Sequence, residues 1–150
     1  MKPTQQFHEL GQSIWLDNIT RNLLTSGRLK RAIDELSLSG LTSNPTIFRN
    51  AISKSSDYDA AIRLRGQTGQ SVEDLFFDLA LEDISAAADL FRPIHAATKG
   101  VDGWVSLEVS PKLAYDAAST VKEAIALQCA SGQAECIDQA PGHAGGAIRH

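Results

Sequence analysis

The sequence predicts an α/β fold in which parallel strands are joined by helical crossovers. Two observations carry that expectation. Short runs of strand-type residues alternate with helical text along most of the chain, and such alternation delivers successive strands to one sheet in the same direction. Polar side chains recur at the C-terminal ends of those runs: Asp17, then Thr42 and Asn44, then Glu108. In parallel sheets, open or closed, that end faces the ligand.

The elements follow in order. SIWLD (13–17) has a β-branched and aromatic centre and ends in a carboxylate, which reads as a first strand. NITRNLLTSG (18–27) is helical text closed by glycine, and RLKRAIDEL (about 29–37) sets Leu29, Ala32, Ile33 and Leu36 on one face. LSLSGLTSN reads as a second short strand interrupted by a glycine. In NPTIFRNAI, Asn44 is an N-cap candidate and Pro45 occupies the first helical position, where a missing N–H does no harm. SVEDLFFDLALEDISAAADLF (71–91) gives the strongest helical signal: Ser71 caps it, and Val72, Leu75, Phe76, Leu79, Ile84, Leu90 and Phe91 keep helical spacing until Pro93 disturbs the pattern. KGVDG (99–103) is a turn, WVSLEV (104–109) is a third strand stopped by Ser110-Pro111, and KLAYDAASTVKEAIALQ (112–128) is a further helix. AECID (134–138) is a weaker fourth strand candidate.

At 150 residues the chain has the size of one ordinary domain, enough to bury roughly two thirds of its unfolded surface. Apolar residues at 43% and charged residues at 21% fit a globular protein rather than a disordered or fibrous one. A net charge of −4 and the lack of a basic stripe interleaved with aromatics argue against nucleic acid as a partner. MKPTQQFHELGQ has no apolar signal core and no window is long enough to span a bilayer, so no membrane partner and a cytoplasmic location are expected. Cys129 and Cys136 cannot build a disulfide framework, and with His143 and His150 they match no zinc spacing, so no metal is expected. His8 and His95 read as fillers, and Trp15 and Trp104 as packing residues rather than stacking platforms.

QSIWLDNITRNLL, SGLTSNPTIFRNAI and DGWVSLEVSPKLAYD together resemble three consecutive motif blocks of the transaldolases, from about residue 10 to about residue 127. The similarity is to the longer bacterial type, sometimes fused to glucose-6-phosphate isomerase. The resemblance implies the N-terminal half of a (β/α)8 TIM barrel: about four βα units, with extra helices between strands two and three. It implies a transferase of the pentose phosphate pathway with no separate cofactor. In that chemistry a strand-four lysine forms a Schiff base with a ketose phosphate, and a dihydroxyacetone unit passes from a donor such as sedoheptulose 7-phosphate to glyceraldehyde 3-phosphate.

By position, Asp17 resembles the carboxylate that exchanges a proton with the sugar hydroxyl during carbon–carbon cleavage. Glu108 resembles the one acting through water in imine formation and hydrolysis. Thr42 and Asn44 resemble residues that hold the three-carbon fragment. These types suit the work, because acid–base steps need carboxylates in reach and a neutral amide orients a hydroxyl without competing for its proton. Each has a plainer reading: Asp17 or Asn44 as a helix cap, Glu108 as a solvated turn residue.

The resemblance breaks at the nucleophile. Where the family shows text like IKVPGTPEGLPAI, this chain shows IDQAPGHAGGAIRH, and the Pro141-Gly142 register puts Gln139 at the lysine position. An amide nitrogen cannot form an imine. Lys122 is the last lysine and falls in the helix before strand four. The division expected is therefore a transaldolase-like half barrel over residues 1–127 and a divergent tail over 128–150. A frameshift near residue 128 would account for the tail: one G/C-rich set of codons for GTPEGL, read from the third letter, would encode HAGGA, the text at 143–147. With the chain ending at His150, strands five to eight and the family's phosphate-binding residues are expected to be absent. Open sheet edges would then favour self-association. The polypeptide is expected to be inactive alone or to depend on a complementary half; the other reading is a noncatalytic sugar-phosphate-binding module using Asp17, Thr42, Asn44 and Glu108.

Overall fold

A computed structural model describes residues 2–131 and 136–139, with 111, 128–131 and 136–139 as backbone only. Four strands, β1 (Trp15–Asp17), β2 (Gly40–Thr42), β3 (Trp104–Glu108) and β4 (Cys136–Gln139), form one sheet in sequence order. Every neighbouring pair is parallel, in the register Asp17, Thr42, Ser106 across three strands and Glu108 opposite Gln139. The α/β class with parallel strands is therefore the observed one. Residues 132–135 and the end of the tail from residue 140 lie outside the described residues, so the Pro141-Gly142 register and the HAGGA stretch do too.

The helices are α1 (Pro3–Glu9), α2 (Arg21–Thr25), α3 (Arg28–Leu36), α4 (Pro45–Ser53), α5 (Asp59–Arg65), α6 (Val72–Ala97) and α7 (Ala117–Ser131). α2 is shorter than its helical text because Ile19 is drawn fully into the core, and Thr20 becomes the N-cap by accepting the Leu23 N–H at 3.0 Å. Ser71 caps α6 as expected, accepting from the Asp74 N–H. α6 does not stop at Pro93 but runs on to Ala97. The proline ring sits on the exposed side of the helix, where its missing N–H and added bulk disturb solvent rather than the packed face. α7 begins at Ala117, after a 3-10 turn at Pro111–Leu113, because Asp116 accepts from Ser119 and starts the helix there. α1 and α5 carry no strong apolar stripe, and sequence reading passed over both. Two expected face residues also lie outward: Val72 is 86% exposed and Leu36 47%.

One face of the sheet meets the helices. Leu41, Val105 and Leu107 alternate toward that side and pack with Ile19, Leu29, Phe48, Ile84 and Phe91. Each such buried side chain contributes about 1.5–3 kcal/mol. Ala80, Ala87 and Ala88 are fully buried on α6, and their small size lets the helix lie close to β3. The N-terminal ends of the strands are laced together: the Ser39 N–H donates to the Ile14 carbonyl at 2.9 Å, and the Gly103 N–H to the Ser39 carbonyl at 2.7 Å. Both tryptophans pack, as expected. The Trp15 indole lies across Gly40, whose missing side chain makes the room, and Trp104 takes the His95 ring edge-on at 4.8 Å. No helix among the described residues is long and apolar enough to cross a membrane.

Candidate active site

The other face of the sheet carries Trp15, Asp17, Thr42, Trp104, Ser106 and Glu108, because alternate residues of a strand point to opposite sides. At the C-terminal end of that face, Asp17, Asn44 and Glu108 line one open cleft of about 470 Å³ with Pro45, Thr46 and Ile47. Three of the predicted site residues thus meet, although they are far apart in sequence. Thr42 stands in register beside Asp17 but is half-buried and not on the cleft wall. The backbone of Gln139 pairs with that of Glu108 at the end of β4. Lys122 lies in α7, the helix before β4, as expected, and is exposed there.

Asn44 both caps a helix and lines the cleft. Its Oδ1 accepts the Ile47 N–H at 3.0 Å and so caps α4, with Pro45 at the first helical position. The cap fixes the amide's orientation through Oδ1 and, among the described residues, leaves the two Nδ2–H donors of this cleft-lining side chain uncommitted. Capping and ligand binding are therefore compatible uses of one amide. Asp17 is exposed and caps nothing: the α2 cap is Thr20.

Glu108 is half-buried, and burial pushes its carboxyl above the ordinary value, with the nearby Asp17 charge adding to the effect. A carboxyl moved toward neutrality holds or releases a proton more readily at working pH, which suits general acid–base duty. The cleft is also acidic. Among the described residues its lining includes two carboxylates and no cation, an arrangement that favours hydroxyls and water over a phosphate group. No cluster of three or more metal-ligating side chains occurs among the described residues.

The sign of the Glu108 shift sets a pH dependence. A carboxyl whose folded pKa is raised binds protons more tightly in the folded state, so stability is lost as pH rises from the ordinary value of 4.5 through the raised one. Glu108→Gln removes that loss. The difference in Tm between variant and unaltered chain is expected to move in the variant's favour across that window and then level off. Parallel Tm profiles would show that Glu108 is not under this stress.

Sequence reasoning missed Ser106, which lies between Thr42 and Glu108 on this face. The period-two reading of Trp104, Ser106 and Glu108 was the available signal.

Residues 14–137 match the family model described as Transaldolase/Fructose-6-phosphate aldolase. The transaldolase of Arthrobacter sp. (strain FB24) is 48% identical over 122 residues, covering 81% of this chain and 33% of that protein. The transaldolase of Trichodesmium erythraeum (strain IMS101) is 42% identical over 137 residues, 91% of this chain and 36% of its own length. That of Thermobifida fusca (strain YX) is 46% identical over 125 residues, 83% and 34% respectively. The chain thus spans about a third of the length of these relatives. With a parallel sheet that brings Asp17, Asn44 and Glu108 together at its C-terminal end, and with this breadth of similarity, the chain belongs to the transaldolase/fructose-6-phosphate aldolase family.

Proposed function

We propose that this chain forms the acid–base and hydroxyl-binding side of a transaldolase site, built on the first four βα units of a (β/α)8 barrel. The reaction of such a site moves a dihydroxyacetone unit between sugar phosphates, from sedoheptulose 7-phosphate to glyceraldehyde 3-phosphate, in the cytoplasmic pentose phosphate pathway. The observation that carries this reading is the convergence of Asp17, Asn44 and Glu108 on one cleft, with Glu108 raised by burial and by Asp17. Glu108 trades a proton with water at the carbinolamine, Asp17 takes the proton of the sugar hydroxyl as the carbon–carbon bond breaks, and the Asn44 amide, with Thr42 beside it, steadies the three-carbon fragment. The acidic cleft implies that a substrate's phosphate lies away from these residues. A complementary half or a second copy, pairing along the outer strands β1 and β4, would supply the remaining wall.

The covalent step needs a primary amine, and the resemblance assigns its position to Gln139, whose backbone pairs with that of Glu108. Its amide nitrogen is not nucleophilic, so the chain by itself binds a ketose phosphate without reacting with it. Incubation with fructose 6-phosphate and borohydride is expected to leave the mass of the chain unchanged while the ligand raises its Tm. A borohydride-stable adduct would overturn the assignment of Gln139, and a Tm indifferent to the ligand would overturn the site.

A further inference from the structure

Ser106 is completely buried, and its Oγ has no hydrogen-bond partner. Only one other side-chain oxygen among the described residues shares that condition, Thr4 Oγ1 in the N-terminal helix. Leaving a buried hydroxyl unpaired is destabilising, and alanine at the same place would avoid that cost. The neighbourhood does not lack partners for serine: the hydroxyl of Ser43, a buried residue just after β2, donates to the Ser106 carbonyl at 2.8 Å. The unsatisfied oxygen is therefore specific to the Ser106 side chain.

Its place in the sheet gives the reason. Val105 and Leu107 turn into the helix-facing core, so Ser106 turns to the opposite face with Glu108. Across the strands Ser106 is level with Thr42 and Asp17. It thus stands in the row that supports the cleft, one step below Glu108. A hydroxyl can rotate to donate or to accept, which matches a polyhydroxy ketone whose oxygens do both.

We propose that Ser106 is a ligand-positioning residue whose hydroxyl gains its hydrogen bond only when a polyhydroxy ketone enters the cleft. The assignment rests on the proposed function above and adds to it the floor of the site. Because Ser106 is covered in the unliganded chain, the bond forms as the ligand settles and the side chains above the row readjust. Stability of the free chain and affinity for the ligand are then set in opposition at this residue, as expected of a group kept for function.

The test compares the full chain with S106A and S106C, measuring Tm without ligand and the Kd for fructose 6-phosphate. Alanine removes the hydroxyl; cysteine keeps the volume but offers only a weak donor. The expected result is a Tm for S106A equal to or above that of the unaltered chain, with binding weakened about fivefold or more in both variants. A lower Tm for S106A would overturn the inference, since the hydroxyl would then have a partner in the free fold. Unchanged affinity in the variants would overturn it while leaving the proposed function standing. Failure of the unaltered chain to bind fructose 6-phosphate would overturn both.

Discussion

Asp83→Ala is expected to cost about 3–5 kcal/mol of unfolding free energy, the scale seen when one partner of a buried charged network is removed. Asp83 is 3% exposed, and both its oxygens are used. Oδ1 accepts from Arg21 Nε at 2.9 Å, and Oδ2 accepts from the buried Tyr58 hydroxyl at 2.7 Å. Burial raises the Asp83 carboxyl, and the bonds from Tyr58 and Arg21 oppose that shift. Burial likewise pushes the Tyr58 hydroxyl well above its ordinary value, with the bond to Asp83 adding to the shift. Tyr58 in turn accepts the Arg21 backbone N–H at 3.0 Å, and the Arg21 guanidinium stacks 4.6 Å from the ring centre. Alanine would strand the tyrosine donor, leave Arg21 with Glu82 alone, and open a void beside α6. Asn at 83 keeps the volume and one acceptor and should lose less. Urea denaturation measures both, and an alanine variant within about 1 kcal/mol of the unaltered chain would show that the network contributes little.

That network also serves the site. Arg21 opens α2, four residues after Asp17, and its bonds to α6 hold the loop that leaves β1. The alanine variant should therefore bind fructose 6-phosphate less tightly even where it remains folded.

Gly103→Ala is expected to destabilise by about 3 kcal/mol or more, or to prevent folding. Two costs coincide. The backbone at Gly103 is left-handed, with φ +84°, which costs an L side chain about 1–2 kcal/mol. A Cβ there would also stand 2.3 Å from the His95 backbone nitrogen and 2.7 Å from its Cα, and overpacking of this kind typically costs about 1–3 kcal/mol. Neither element can retreat, because the Gly103 N–H is bonded to Ser39 and the His95 ring is seated on Trp104. Gly11→Ala is the control. Gly11 has a similar φ, +77°, but open space around it, so it should show only the conformational cost. Equal losses in the two variants, read by thermal or urea melts, would show that crowding at His95 is not the cause.

Much of this arrangement was legible in order along the chain. The Asn44 cap with Pro45 after it, the Ser71 cap and the alternation of WVSLEV depend on residues within a few positions of one another, and the structure has each in place. The cleft was legible in part: placing a polar residue at the end of each strand brings Asp17, Asn44 and Glu108 to one side of the sheet, with Thr42 half-buried beside Asp17 rather than lining the cleft. The run of α6 through Pro93 was not legible, because only the packed structure puts that ring on the exposed side of the helix.

By itself the sequence determined the parallel α/β order, the starts of α4 and α6 and the kinds of side chain at the strand ends, since turn chemistry and period-two alternation act over short stretches of chain. Only the tertiary structure decided that Asp83 closes on Arg21 across 62 residues, that Gly103 meets the backbone of His95, that burial and then the Asp17 charge raise Glu108, and that the Ser106 hydroxyl is sealed in without a partner. These depend on how helices and sheet are seated against one another, a matter of distance and burial that no local pattern encodes.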